Sequence, residues 1–402
     1  MKRTKGADQV LVMTTFVLTG VFWGIFMWGE WAYAVGRFAS ENIQLTLAHE
    51  DFGRFWYVGQ RLLHAGSNTS APITQLRLQF PTDILSIDRS PLQAWLYPPT
   101  TNLLAMAFAL FPLGLSFWLW TAATLTVSGL ILRCAGLRWR VIAMGLLSPA
   151  DFFNFNHGQI GTLVGSILVA CLLMMDTRPR LAGVLAGCLS FKPQVGLALF
   201  VILPQRWRAA LPWAVLTFIG LVALSILFEG FGMWVWFFTV GGPIATRIIS
   251  APFNVPLAEA FISVFMTARS FGVGIVAADM LQLVSAVVSL ALVAAAWRRK
   301  RSKLKLMAFT VCLTPLITPY GFAYDLSGFG VAMAAMFCVA DDRRKWIFSI
   351  LWLMSGFTFF SLYFVHHLFF PFFAAFGAFM CNPFAKPLTL PAAQPPLYAA
   401  GR

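Results

Sequence analysis

Residues 273–296 carry a single charge, Asp279, and are followed, after Trp297, by four basic residues, Arg298-Arg299-Lys300-Arg301; a second apolar stretch then begins at residue 304. A helix of about 20 apolar residues spans the hydrocarbon core of a bilayer. That core holds no water, so a backbone inside it must satisfy its own hydrogen bonds. Only helices and closed barrels do so, and the alternating pattern of barrel strands is absent here. Such stretches recur along the chain. Spans fall at 10–29, 96–111 and 114–132, with shorter or interrupted ones at 141–155, 159–175 and 181–203. Longer ones follow at 210–228, 273–296, 304–320, 325–340 and 346–367, with a last short one at 368–381. The expected fold class is an all-α polytopic membrane protein, a bundle of about 11–12 transmembrane helices.

Composition agrees. The chain is 59% hydrophobic and 11% charged, with 40 phenylalanines among 402 residues, where a soluble domain has roughly a quarter charged residues. The net charge of +14 does not point to nucleic acid. The basic residues sit in short clusters between apolar spans, as the positive-inside bias produces, and no nucleic-acid partner is expected. Six cysteines with no CxxC pair read as small buried hydrophobes. Five histidines without HExxH spacing give no reason to expect a metal site.

The first span follows Lys2, Arg3 and Lys5. Ala32-Tyr33-Ala34 resembles a signal-peptide cleavage site. The span is long enough to cross a bilayer, however, and many others follow, so it reads as an uncleaved first helix. The clusters at 298–305, 341–345 and Arg206/Arg208 are assigned to the cytoplasm, and the N-terminus with them. That places 30–95, 229–272 and the turn Pro319 to Asp325 outside. Simple alternation would put Arg133, Arg138 and Arg140 outside as well, against the bias; half-length or re-entrant helices between 133 and 203 would relieve the conflict. The chain divides into one membrane domain, 1–382, and a Pro-rich tail, 383–402, expected to be disordered. No internal repeat is visible. Gly20/Gly24 and Gly183/Gly187 suit close helix packing.

An outer loop of 30–95 is far longer than a connection needs. It contains HEDFGRFWYVGQRLLHAG, residues 49–66. On a helix, Phe52, Phe55, Trp56, Leu62 and Leu63 form an apolar face, which suits an interfacial helix with its aromatics in the headgroup region. Asp51 would stand at the N-terminus of that helix, where the dipole favours a carboxylate; a capping role alone would explain it. Adjacent Glu50 would point elsewhere.

Lys192 lies between Phe191 and Pro193 in an apolar segment. A lysine at membrane depth costs about 2.5 kcal/mol or more and is by default a functional candidate. Its plainer reading is a lysine snorkelling from a helix end. His157 and Gln159 form a polar island, FNFNHGQIG, suited to phosphate or sugar hydroxyls, or simply to a capped turn. Arg247, in GGPIATRIIS, would meet a lipid phosphate or lie in water. Asp325, in TPYGFAYDL, is either an acid near the substrate or an N-cap. Tyr97 lines the outer pocket or belongs to the interfacial aromatic belt. Trp234, Trp236, Phe237 and Phe238 read as interfacial anchors rather than a sugar-stacking platform.

The order of these motifs resembles the polyprenol-phosphate-sugar-dependent glycosyltransferases of family 87. Asp51-Phe52-Gly53-Arg54-Phe55 opens the first outer loop motif, and Tyr97-Pro98-Pro99 begins the second helix. Gly158-Gln159 follows, then Ala182-Gly183, Gly187 and Lys192-Pro193, and finally the turn from Pro319 to Asp325. The resemblance implies a GT-C fold and an inverting transfer of a sugar, mannose by family likeness, from a polyprenyl-phosphate carrier. The acceptor is a hydroxyl of a glycan or glycolipid at the periplasmic face of a bacterial inner membrane. It also implies that Asp51 is the base. Some relatives place a histidine where Tyr324 stands, a pattern from which this sequence departs; if that histidine matters to them, the resemblance implies that Tyr324 or Asp325 replaces it here. One phosphate on the leaving group makes a metal unnecessary, and no other cofactor is expected. The competing classes are a polytopic transporter and a lipid-linked-sugar flippase. Transporters commonly show related halves, and this chain shows none.

Overall fold

The structure, a computed structural model, describes residues 51–65, 95–206, 208–253, 261–299 and 302–384. The expected first span, Glu50, most of the 30–95 loop, Lys300-Arg301 and the tail beyond 384 lie outside the described residues. The helices are α1 Asp51–Ala65, α2 Pro99–Phe108, α3 Leu113–Cys134, α4 Trp139–Leu146, α5 Pro149–His157, α6 Gly161–Met174 and α7 Pro179–Cys188. They continue with α8 Leu211–Glu229, α9 Gly242–Ser250, α10 Val264–Ser270, α11 Ile275–Trp297, α12 Lys303–Leu313, α13 Ser327–Val339, α14 Asp342–Val365 and α15 Phe370–Met380. Among the described residues the only β contact is an isolated bridge between Phe261 and Phe322.

Among the described residues three helices, α3, α8 and α11, are long and apolar enough to cross a membrane. Along α8 and α11 most side chains face outward, including Leu216, Ile219 and Leu227 on one and Val276, Leu283 and Val284 on the other. So much contiguous exposed apolar surface is unstable in water and suits lipid. Helices α6 and α13 are the reverse, buried almost from end to end. They pack on each other, α4 and α14 close over α13, and α3 and α7 lie against α6. Helix α7 also runs along α8, and Gly183 and Gly187 make that approach possible. A Cβ on Gly183 would sit 2.2 Å from the Ala210 carbonyl oxygen, and one on Gly187 would sit 2.5 Å from Thr217 Cβ.

The apolar stretches between 133 and 203 fold as short helices with breaks that the sequence explains. The segment expected at 141–155 is two helices. Ser148 caps α5 by accepting from the Asp151 backbone N–H, and Pro149 occupies the first turn, where its missing N–H is harmless. The stretch 181–203 is also broken. After α7 come two 3-10 turns, Leu189–Phe191 and Pro193–Gly196, with Lys192 between them outside helical geometry at φ −148°, ψ 76°. Pro193 disfavours helical geometry at the residue before it.

Helix α1 corrects one expectation. Its aromatic face meets protein rather than lipid headgroups: Phe52 and Phe55 are each 1% exposed. Phe52 packs edge-on against Phe117, with ring centres 5.5 Å apart, and Phe55 stands over Trp95 and Tyr97, 4.9 Å from each. The helical period identifies an apolar face but not what covers it. Here aromatics brought by α3 and by the residues before α2 cover it, with edge-to-face contacts that lipid would not supply.

Candidate active site

Below α1 the helix ends enclose a cavity of about 1130 Å³. Seven of the eight residues singled out from the sequence border it: Asp51, Tyr97, His157, Gln159, Lys192, Arg247 and Tyr324. They come from segments far apart in the chain. Asp325 is not on the wall; it stands behind Lys192.

Asp51 is the first residue of α1, and its side chain is 21% exposed. Arg54, one turn on, places Nη1 2.9 Å from Asp51 Oδ1. The other oxygen, Oδ2, accepts a hydrogen bond from Gln159 Nε2. Burial alone would raise the Asp51 carboxyl, but Arg54, His157, the Gln159 hydrogen bond and Lys192 together outweigh it and hold the group below its ordinary value of 3.8. Asp51 is thus kept ionised at the cavity wall.

Gln159 reaches Asp51 because of the glycine before it. Gly158 ends α5 in the left-handed region at φ 63°, a conformation glycine adopts without penalty. The chain turns there and directs Gln159, 4% exposed, back toward α1. Gln159 Oε1 accepts from the Tyr97 hydroxyl at 2.5 Å. Tyr97 precedes the two prolines that open α2, and its ring packs on Phe55 and Trp95. Tyr97, Gln159 and Asp51 thus form one hydrogen-bonded chain. His157, at the end of α5, has Nδ1 3.1 Å from the Phe153 carbonyl oxygen. A carbonyl only accepts, so Nδ1 carries the proton in that contact.

Lys192 is 2% exposed and does not snorkel. Its ammonium is 2.5 Å from Asp325 Oδ1 and lies 4.3 Å from the centre of the Tyr324 ring, with Tyr97 and Phe322 also around it. Aromatic faces and a carboxylate together offset part of the cost of burying the charge. Asp325 Oδ2 also accepts from the Phe322 backbone N–H, so this acid caps its turn and pairs with lysine at once. Two side chains of α2 position the Lys192 bend: Thr100 Oγ1 donates to the Ser190 carbonyl at 2.8 Å, and Thr101 Oγ1 to the Phe191 carbonyl at 2.5 Å. They satisfy carbonyls that the break at Pro193 releases from helical pairing. Arg247, on α9, is exposed at the cavity's edge. Of the aromatics in the helical segments before it, Gly232–Trp236 and Phe237–Gly241, Phe237 and Phe238 border the cavity, whereas Trp236 is buried and Trp234 Nε1 donates to Ser225 Oγ at 2.9 Å.

Three residues at or beneath this site escape a sequence reading. Arg54 borders the cavity and pairs with Asp51; the i, i+3 spacing on one helix was its signal. Asp151, 2% exposed, accepts from Ser148 Oγ at 2.6 Å, Thr162 Oγ1 at 2.8 Å and Ser327 Oγ at 2.6 Å, joining α5, α6 and α13. The Ser-x-x-Asp spacing at 148–151 marks a helix start but not these partners. Glu229 ends α8 buried, accepting from Asn102 Nδ2 at 2.6 Å, and Asn102 Oδ1 in turn accepts from Trp95 Nε1 at 2.9 Å. Nothing local to Glu229 signals that link.

Among the described residues no three His, Cys, Asp or Glu side chains are grouped to hold a metal ion. What the cavity wall does offer is one ionised carboxylate, cations at Arg54, Lys192 and Arg247, and many aromatic rings. That set can take a proton from a hydroxyl and hold an anion nearby. The profile of glycosyltransferase family 87 matches residues 95–319. No curated protein and no solved structure matches the chain. The matched stretch carries Tyr97, His157, Gln159, Lys192 and Arg247, while Asp51 precedes it and Tyr324 and Asp325 follow it. Because the match covers more than half of a chain whose helices suit a bilayer, this protein is a membrane glycosyltransferase and belongs to glycosyltransferase family 87.

Proposed function

We propose that the protein transfers a sugar, mannose by family likeness, from a polyprenyl-phosphate carrier to a hydroxyl of a glycan or glycolipid. The reaction takes place at the periplasmic face of a bacterial inner membrane and inverts the anomeric centre. One observation carries this reading: the Asp51 carboxylate and the cations Arg54, Lys192 and Arg247 border the same cavity.

The chemistry needs little more. A hydroxyl is a weak nucleophile, and Asp51 accepts its proton as the oxygen bonds to the anomeric carbon. The bond from that carbon to the phosphate oxygen breaks in the same step, and its electron pair leaves on the phosphate. Attack opposite the leaving group gives inversion without a second carboxylate. A phosphate leaves readily once its developing charge is stabilised, which is work for Lys192 and Arg247 rather than for a general acid. No metal or other cofactor is required by this scheme.

The test is Asp51→Asn in membranes supplied with labelled polyprenyl-phosphate mannose and parallel hexose donors. Loss of transfer by about 100-fold or more is expected for removal of a general base. Full transfer by the variant would refute the base assignment. Movement of the donor across the bilayer with no transfer by the unaltered chain would favour the flippase or transporter reading. The anomeric configuration of the product, read by NMR, checks inversion.

A further inference from the structure

Each oxygen of Asp51 has its own partner. Oδ1 lies 2.9 Å from Arg54 Nη1, on the same helix, and Oδ2 accepts from Gln159 Nε2, which arrives from the turn after α5. The Gln159 amide has one orientation that suits both its neighbours. A carboxylate only accepts, so the nitrogen faces Asp51; the carbonyl oxygen then faces Tyr97, whose hydroxyl donates at 2.5 Å. Tyr97 has little room to move, with Phe55 4.9 Å away, Trp95 5.0 Å away and the Lys192 ammonium 5.6 Å from its ring centre. Gln159 is 4% exposed.

We propose that Arg54, Gln159 and Tyr97 are positioning residues that act through Asp51: Arg54 and Gln159 each hold one carboxylate oxygen, and Tyr97 locks the Gln159 amide. The base is thereby kept in one rotamer facing the cavity. A carboxylate has about four lone-pair sites, so two contacts do not saturate it and an acceptor hydroxyl still finds a site. This inference rests on the reading of Asp51 as the base. It assigns Gln159 and Tyr97 a different task from the substrate contact their sequence positions suggest. A free side chain at a partly exposed helix start samples several rotamers, and a misplaced base is costly in rate. The clamp removes that loss.

The charged and titratable groups facing Asp51 are Arg54 from α1, His157 from α5, Lys192 from the break after α7, Tyr97 from before α2 and Tyr324 from before α13. Arg54 is the strongest of the cations acting on the carboxyl. Its removal therefore shifts the protonation of Asp51 most, whereas Tyr97→Phe removes only a hydroxyl at one remove.

The experiment uses the full chain in membranes or detergent with the labelled polyprenyl-phosphate hexose that the unaltered chain turns over. Steady-state constants are measured for Tyr97→Phe, Gln159→Ala, their double variant, Arg54→Gln, Arg54→Lys and Asp51→Asn. Thermal unfolding midpoints establish that each variant is folded. Tyr97→Phe is expected to lower kcat about fivefold, the equivalent of one hydrogen bond, with the donor KM within about twofold. Added to Gln159→Ala, it is expected to cost nothing further, because the amide it locks is gone. Arg54→Gln is expected to move the acid limb of kcat/KM to higher pH, and Arg54→Lys to restore most of that shift. The proposal is overturned if Tyr97→Phe raises the donor KM with kcat intact, if the two losses multiply, or if the acid limb ignores Arg54. Asp51→Asn separates the two levels of argument. Full activity in that variant refutes the base itself, whereas an inactive variant alongside any of those three outcomes refutes only the clamp.

Discussion

Lys192 Nζ and Asp325 Oδ1 meet at 2.5 Å, with side chains only 2% and 7% exposed. The pair fastens two breaks in the helical pattern to each other: the bend at Pro193 after α7 and the turn that opens α13. A buried pair is poor evidence for net stability, yet removing one partner strands the other charge, which typically costs 3–5 kcal/mol. Lys192→Met and Asp325→Asn are each expected to lower the thermal unfolding midpoint and to abolish most transfer. The double variant Lys192→Met/Asp325→Leu is expected to recover much of the midpoint, because no charge is left buried, but not the transfer. Differential scanning fluorimetry in detergent, with transfer measured on the same samples, checks both halves. Recovery of transfer in the double variant would show the pair to be purely structural.

A second prediction concerns the acid the sequence did not single out. Asp151 collects three hydroxyl donors beneath the cavity, one each from Ser148, Thr162 and Ser327. Asn154 adds a donation to the Tyr324 carbonyl at 2.7 Å, so this network also holds a cavity wall in place. Asp151→Ala leaves three buried hydroxyls without their acceptor. A lost hydrogen bond to a charged group is worth about 1.5–3 kcal/mol, so a loss of several kcal/mol is expected across the three. The expected result is a low yield of folded protein and a lowered midpoint. Asp151→Asn keeps the shape and one acceptor oxygen, and its midpoint is expected to fall between those of Asp151→Ala and the unaltered chain. Neither is expected to shift the pH profile of transfer per folded molecule, since Asp151 does not border the cavity.

What was legible in the sequence, and what was not, follows from which interactions are local. The alternation of apolar stretches and basic clusters is a local property, and it alone points to an all-helical membrane chain. Asp51, Gln159 and Lys192 stood out because each is a polar or charged residue in apolar company, and such residues need partners. All three border one cavity. Partner identity is not local. The Gln159 amide is bound to Asp51 and Tyr97, and the Lys192 charge to Asp325, through pairings between residues remote in sequence. Arg54 is not legible as a partner although it lies in the same helical turn as Asp51, because a charge on an interfacial helix is expected to face water. The aromatic face of α1 is legible, but its cover is not, because Phe117 and Trp120 on α3 supply it from a remote part of the chain. The break at Ser148-Pro149 was readable from its capping residue and proline, yet a hydropathy window runs straight across it.

The pH dependence of transfer gives the last prediction, and its sign follows from the surroundings of Asp51. Burial pushes this carboxyl up, and Arg54, His157, the Gln159 hydrogen bond and Lys192 more than reverse that, so its folded value lies below 3.8. The base is useful only when ionised. Transfer is therefore expected to be insensitive to pH from neutrality down to the ordinary carboxylate range, and to fall only as the pH drops through the lower folded value. The linked contribution to stability has the same sign. A carboxyl depressed on folding stabilises the native state above its unfolded value, and that contribution is lost as the pH falls through the folded value. Arg54→Gln removes the strongest depressing charge and leaves the burial, so both limbs are expected to move upward in pH together. Added salt acts on the same pair. Asp51 and Arg54 are 21% and 23% exposed, so raising ionic strength toward 1 M, where screening acts within about 3 Å, is expected to reproduce a fraction of the Arg54→Gln shift in the unaltered chain and little in the variant. Transfer rates across pH at two salt concentrations, for both chains, decide it. A salt effect of equal size in the variant would assign the depression to charges other than Arg54.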